Sequence, residues 1–166
     1  MLLTTNDKTV KLWKVKEREV QAVIENNSSI TKKLAQTDVR IPISLPKTIT
    51  KGPSVSAVPK RIFSNAHAYH IHSISLSPDG EIFLSSDDLR VNIWDMNRSE
   101  QSFNIVDIKP ANIESLTEVI TSTQFHPKHD HSFLYSTSKA SVRLGDMRQS
   151  ALCDRYAKCT LSHDIV

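Results

Sequence analysis

Glycine is scarce in this chain, with three residues in 166. A loop that cradles phosphate on backbone amides, or a G-x-S-x-G turn that exposes a nucleophilic serine, needs closely spaced glycines that are absent here. Only two cysteines occur, Cys153 and Cys159. They cannot form a disulfide framework, and in a reducing compartment two such thiols are expected to stay free. No run is long and apolar enough to cross a membrane. The opening MLLTTNDKTVKLW has no basic segment leading into an apolar one, so neither a secretory signal nor a transit peptide is expected. The cytosol or nucleus is the default location. One-sided charge is lacking too: 21 Lys and Arg stand against 18 Asp and Glu, a net +3 that is scattered along the chain. Neither a nucleic acid nor a membrane is expected as a partner. What remains, 39% hydrophobic and 23% charged residues, is an ordinary globular composition poorly equipped for catalysis.

Self-comparison brings out a repeat. TNDKTVKLWKV at 5–15, SDDLRVNIWDM at 86–96 and TSKASVRLGDMR at 137–148 superpose, each a polar turn followed by an alternating strand. In the first two, an Asp stands six residues before a Trp: Asp7 before Trp13, and Asp88 before Trp94. Lys139 and Gly145 hold those places in the third. Upstream of the second and third copies, AHAYHIHSISLSPDGEIFLSS and LTEVITSTQFHPKHDHSFLYS each read as a strand, a tight turn and another short strand. The apolar period is two: Ile74 with Leu76, and Val91 with Ile93, share a face. In Ser77-Pro78-Asp79-Gly80 the proline pre-sets φ and the glycine admits a positive φ, as a tight turn requires. A fourth strand is expected at 102–109 in the second copy and near Cys153 to Lys158 in the third.

Such four-stranded units resemble the blades of WD-repeat β-propellers. His67, the SPDG turn, Asp88 and Ile93-Trp94-Asp95 follow one another as in that family. There the Asp and the upstream His are commonly joined in a network that pins one blade. The resemblance makes Asp88 and His67 that pair, with Asp7, Trp13, Trp94 and Asp95 as further structural positions of the repeat. Asp87 is left as a solvated turn acid. The fold class is therefore all-β, a propeller fragment of about two to three four-stranded blades with a long inserted arm. The first blade should end at 1–15, an arm occupy 16–59, the last strand of that blade and the next blade fill 60–109, a further blade fill 110–158, and a divergent tail follow at 159–166. An insertion of that length is usually functional or disordered. It is expected to be a hairpin with paired limbs and a disordered tip near Asn26 to Thr31.

More specific words point further. RIFSNAHAYHIHSIS, SDDLRVNIWDM, FNIVDIKPANIESLTEVITS and SALCDRYAK closely resemble the B-type regulatory subunits of protein phosphatase 2A, and the match covers nearly the whole chain outside the arm. The resemblance implies a seven-bladed propeller that binds the phosphatase scaffold (A) subunit, lies next to the catalytic (C) subunit, and recruits phosphoprotein substrates. It implies no catalytic residue, no cofactor and no metal. The family's scaffold-gripping arm corresponds to roughly Lys16 to Val58, with Arg40, Ile41 and Pro42 within it. Its substrate groove maps onto Tyr69, Asp88, Leu116 and Val119, with Glu114 adding acidity. A carboxylate beside small apolar pockets suits a segment with basic and apolar side chains.

Departures and rivals bound that reading. Ser115 stands where the family usually has a second acid, and Gly145 replaces a larger residue, at an entropic cost of about 0.5–1 kcal/mol. About two full units and part of another cannot close a propeller, which takes about four to eight blades. A truncated or partial member with unpaired strand edges is therefore expected. An enzyme reading rests on two H-x2-H-x-H clusters, His67, His70 and His72, and His126, His129 and His131, whose i and i+2 members could share a zinc ion. An unrelated WD-repeat adaptor and a non-functional truncated product also compete with the regulatory reading. For Tyr69 the plainer reading is a half-buried strand-edge aromatic, and for Leu116 and Val119 a short helical turn.

Overall fold

The computed structural model describes residues 1–24, 47–149, 151–153 and 159–162. Among these, regular structure is strand apart from one 3₁₀ turn at Ile113–Ser115. β1 (Leu2–Asn6), β2 (Thr9–Ile24) and β3 (Lys47–Phe63) form a three-stranded sheet in that order. β4 (Ser73–Leu76), β5 (Ile82–Ser86), β6 (Arg90–Asp95) and β7 (Arg98–Asp107) form a four-stranded one. The third sheet is β8 (Ile120–Phe125), β9 (Ser132–Thr137), β10 (Ser141–Asp146) and β11 (Cys159–Ser162). Every registered pair is antiparallel, as short strands joined by tight turns require. Gly80 takes φ +75 in the turn before β5.

One stretch departs from the expected layout. The fourth strand of the third sheet is not at Cys153 to Lys158. It is β11, pairing Val142 with Leu161 and Leu144 with Cys159, within the stretch expected to be a divergent tail. Residues 154–158 lie outside the described ones. β2 and β3, at 16 and 17 residues, are far longer than the usual five or six or so, and Lys14–Val58 forms a compact unit of its own. The hairpin tip expected near Asn26 to Thr31, and Arg40, Ile41 and Pro42, lie outside the described residues. Lys16 and Val58 are exposed on β2 and β3.

The core lies between sheets, because strand alternation sends neighbouring residues to opposite faces. Phe83 joins Trp94, Phe63, Ile71, Met96, Val10 and Leu12 in one buried cluster, while Leu84 joins Val91, Ile105, Val106, Ile120, Phe125, Phe133, Tyr135 and Cys153 in another. Phe63 meets Phe83 and Trp94 edge-on, with ring centroids 4.9 and 5.4 Å apart. Each fully buried side chain of this size stabilises by roughly 1.5–3 kcal/mol. Polar stitches join β4 to β8: the Thr123 and Phe125 amides each donate to a serine hydroxyl, Ser73 Oγ and Ser75 Oγ, both at 2.9 Å. Gly145 has a packing reason. It pairs with Phe133, and a Cβ there would lie 2.5 Å from Phe133 Cζ, so the ring fills the space a larger residue would need.

Candidate functional site

Two different groups of polar residues gather where the second sheet meets its neighbours, one buried and one exposed. The buried group begins at Trp94, whose indole N–H donates to Ser85 Oγ at 2.8 Å. Ser85 Oγ lies 2.6 Å from His67 Nε2, and His67 Nδ1 lies 2.9 Å from Asp87 Oδ2. Indole can only donate and carboxylate only accept. A neutral ring therefore carries its proton on Nδ1, accepts the Ser85 hydroxyl at Nε2, and completes a one-way chain from Trp94 to Asp87. The other carboxylate oxygen accepts the amides of Leu89 and Arg90 at 2.9 and 2.7 Å, closing the β5–β6 turn. Burial alone would raise the Asp87 carboxyl, but the His67 hydrogen bond and the two amides outweigh it and hold it below the ordinary carboxylate range.

This corrects the sequence reading. The histidine's partner is Asp87, which is fully buried, not Asp88. The count of six residues back from tryptophan aligned Asp88 with Asp7 and passed over the residue before it. The available signal was local: an Asp whose side chain caps the amides two and three residues on makes a turn by itself. Of the other repeat positions, Trp13 donates to Thr4 Oγ1 at 2.8 Å, as Trp94 does to Ser85. Asp95 accepts the amide of Asn97 at 2.7 Å.

The exposed group lies on the turns at one end of the sheets. Ser73, at the start of β4, pairs with Ser86, at the end of β5, so the entry to β4 and the β5–β6 turn share that end. The Ile71 amide donates to the Asp7 carbonyl at 2.9 Å and the Ile120 amide to the Asp88 carbonyl at 2.8 Å. Each turn is thus tied to the entry of the next sheet, and the alignment of Asp7 with Asp88 holds at the backbone. The Val119 amide in turn donates to Ser138 Oγ at 3.0 Å. The Asp88 turn and Val119, next to Ile120, are thereby held at the same end, with Tyr69 three residues before His72 in the chain. Leu116 and Val119 are partly buried on the irregular segment that leads into β8. Glu114 is exposed within the 3₁₀ turn, its amide capped by Asn112 Oδ1 at 3.2 Å. Tyr69 is exposed. Asp88 Oδ1 lies 2.6 Å from His72 Nε2, and Asp7 Oδ1 lies 2.6 Å from His70 Nδ1.

The first histidine cluster is therefore dispersed, its three rings turned to three different carboxylates. In the second, His126 stacks on His129 at 4.5 Å between centroids and His129 lies 5.4 Å from His131. His126 Nδ1 accepts the amides of Lys128 and His129 at 3.1 Å each, which closes the β8–β9 turn. Among the described residues no group of three His, Cys, Asp or Glu is arranged to hold a metal ion.

Comparison with known proteins agrees with this geometry. Residues 57–95 match the WD domain, G-beta repeat family, a span holding His67, Asp87 and Trp94. Over 158 residues, 95% of the chain, the sequence is 52% identical to the regulatory B subunit of protein phosphatase PP2A from Candida tropicalis. The chain is homologous to a regulatory B subunit. It spans 31% of that relative's length. The buried chain from Trp94 to Asp87 lies within the stretch that matches the WD-repeat model.

Proposed function

We propose that this chain serves as part of a non-catalytic regulatory subunit of a serine/threonine phosphatase of the 2A type. The unit Lys14–Val58 engages the scaffold subunit. The rim of Tyr69, Asp88, Glu114, Leu116 and Val119 holds phosphoprotein substrates with basic segments near the catalytic subunit, in the cytosol or nucleus. The observation that carries this reading is the 52% identity, over 95% of the chain, to a protein named as a PP2A regulatory B subunit. The rim chemistry supports it. A partly exposed carboxylate at Asp88, whose carbonyl accepts the Ile120 amide next to the partly buried Val119, offers a charge-assisted hydrogen bond next to apolar area.

The test is capture of the full-length protein on immobilised phosphatase scaffold, in three forms: wild type, a variant with 14–58 replaced by a short turn, and Asp88→Ala. Wild type and Asp88→Ala should be retained and the arm replacement lost, while Asp88→Ala alone should weaken recruitment of a basic phosphoprotein. A wild-type protein that the scaffold does not retain overturns the regulatory reading and leaves an unrelated WD-repeat adaptor.

A further inference from the structure

Asp88 does not present a whole carboxylate to solvent. Its Oδ1 is held by His72 Nε2 at 2.6 Å, and among the described residues nothing donates to Oδ2. Both partners are fixed through their backbones. The His72 amide donates to the Ser86 carbonyl at 2.9 Å, and the Asp88 carbonyl accepts the Ile120 amide at 2.8 Å. The pair is accessible, with His72 and Asp88 side chains 40% and 35% exposed. The same device recurs one sheet earlier, where His70 Nδ1 holds Asp7 Oδ1 at 2.6 Å, whereas the third turn has Lys139 in that place.

We propose that His72 sets the specificity of the rim by occupying one oxygen of Asp88, so that the site selects a lysine ammonium over an arginine guanidinium. The proposal rests on the reading that Asp88 receives basic segments of a substrate. An arginine fork delivers two parallel N–H groups and gains most when both carboxylate oxygens accept them. Here Oδ1 already engages His72 Nε2 at 2.6 Å, so a fork would have to share that oxygen with the imidazole. An ammonium is a compact point donor with freely rotating N–H groups. It satisfies Oδ2 alone and leaves the His72 bond intact. His72 is thus a positioning residue, acting on the ligand through Asp88.

The test uses two short extended peptides, identical except for one basic residue flanked by leucines, lysine in one and arginine in the other. Binding of each is measured to the full-length protein as wild type, His72→Ala and His72→Gln. The lysine peptide should bind wild type about threefold to tenfold more tightly, the equivalent of one charge-assisted hydrogen bond at an exposed site. His72→Ala should reverse the preference by freeing Oδ1. His72→Gln, which keeps an N–H donor for that oxygen, should retain it. A purely structural clasp would weaken both peptides alike and leave their ratio unchanged in His72→Ala, and that result overturns the proposal while leaving the rim reading intact. Absence of binding by either peptide to a wild-type protein that the scaffold retains overturns the rim reading and this proposal with it.

Discussion

Replacing Asp87 by alanine is the sharpest probe of the blade, because its neighbour Asp88 supplies an internal control one residue away. Asp87 is fully buried and accepts three hydrogen bonds, from His67 at 2.9 Å and from the Leu89 and Arg90 amides at 2.9 and 2.7 Å. Truncation strands the buried His67 N–H and opens the β5–β6 turn. Leaving a buried donor without its acceptor costs about 1–3 kcal/mol, and the loss of both turn-closing amide bonds adds to it, a large fraction of the roughly 5–15 kcal/mol that holds a domain together. Asp88 makes one hydrogen bond from a side chain 35% exposed, and an exposed pair contributes about 0–1 kcal/mol. Urea unfolding followed by tryptophan fluorescence, with Trp94 in the same hydrogen-bonded chain, should therefore separate Asp87→Ala from Asp88→Ala by about 1–3 kcal/mol. The pH dependence has a definite sign. The Asp87 carboxyl sits below its ordinary value in the folded state, so its stabilisation is complete above the unfolded value of about 4 and is lost as pH falls through the lower folded one. Asp87→Ala should flatten that acid limb. Equal destabilisation by the two alanine variants would refute the assignment of His67 to Asp87.

Further tests address the packing between and within sheets. Gly145→Val should destabilise by about 1–3 kcal/mol through overpacking against Phe133, and Phe133→Leu in the same chain should recover part of the loss in thermal melting. An unchanged midpoint for Gly145→Val would show that the ring can move aside. Ser75→Ala removes the acceptor of the Phe125 amide and should cost about 1 kcal/mol. Hydrogen exchange at Phe125 should accelerate, and unaltered protection there would mean that this bond does not stitch β4 to β8.

How much of this was readable beforehand follows from which interactions are local. Strand period is a property of neighbouring residues, so alternation in SISL and RVNIWD, with the turn at Ser77 to Gly80, was enough to find the second sheet, and internal repetition extended it to the others. The match of Asp7 with Asp88 was also legible, and the backbone bonds to Ile71 and Ile120 agree with it. Which of two adjacent acids turns inward was not legible. Asp87 and Asp88 differ by one residue, which on a turn is the difference between facing the buried His67 and facing the exposed His72, and that choice depends on where the connection between β3 and β4, 20 and 16 residues upstream, passes. Gly145 likewise looked like an entropic cost, because the ring that occupies its space comes from Phe133 on the paired strand.

Sequence alone determined the all-β class, the repeat and the kinship with regulatory B subunits, since all three are written in short-range pattern and in words specific to that family. Tertiary structure decided which carboxylate is buried and which is offered, which strand completes the third sheet, and that the offered carboxylate keeps one oxygen for its own histidine. These outcomes depend on register between segments far apart in the chain, where a shift of a single residue sends a side chain to the opposite face.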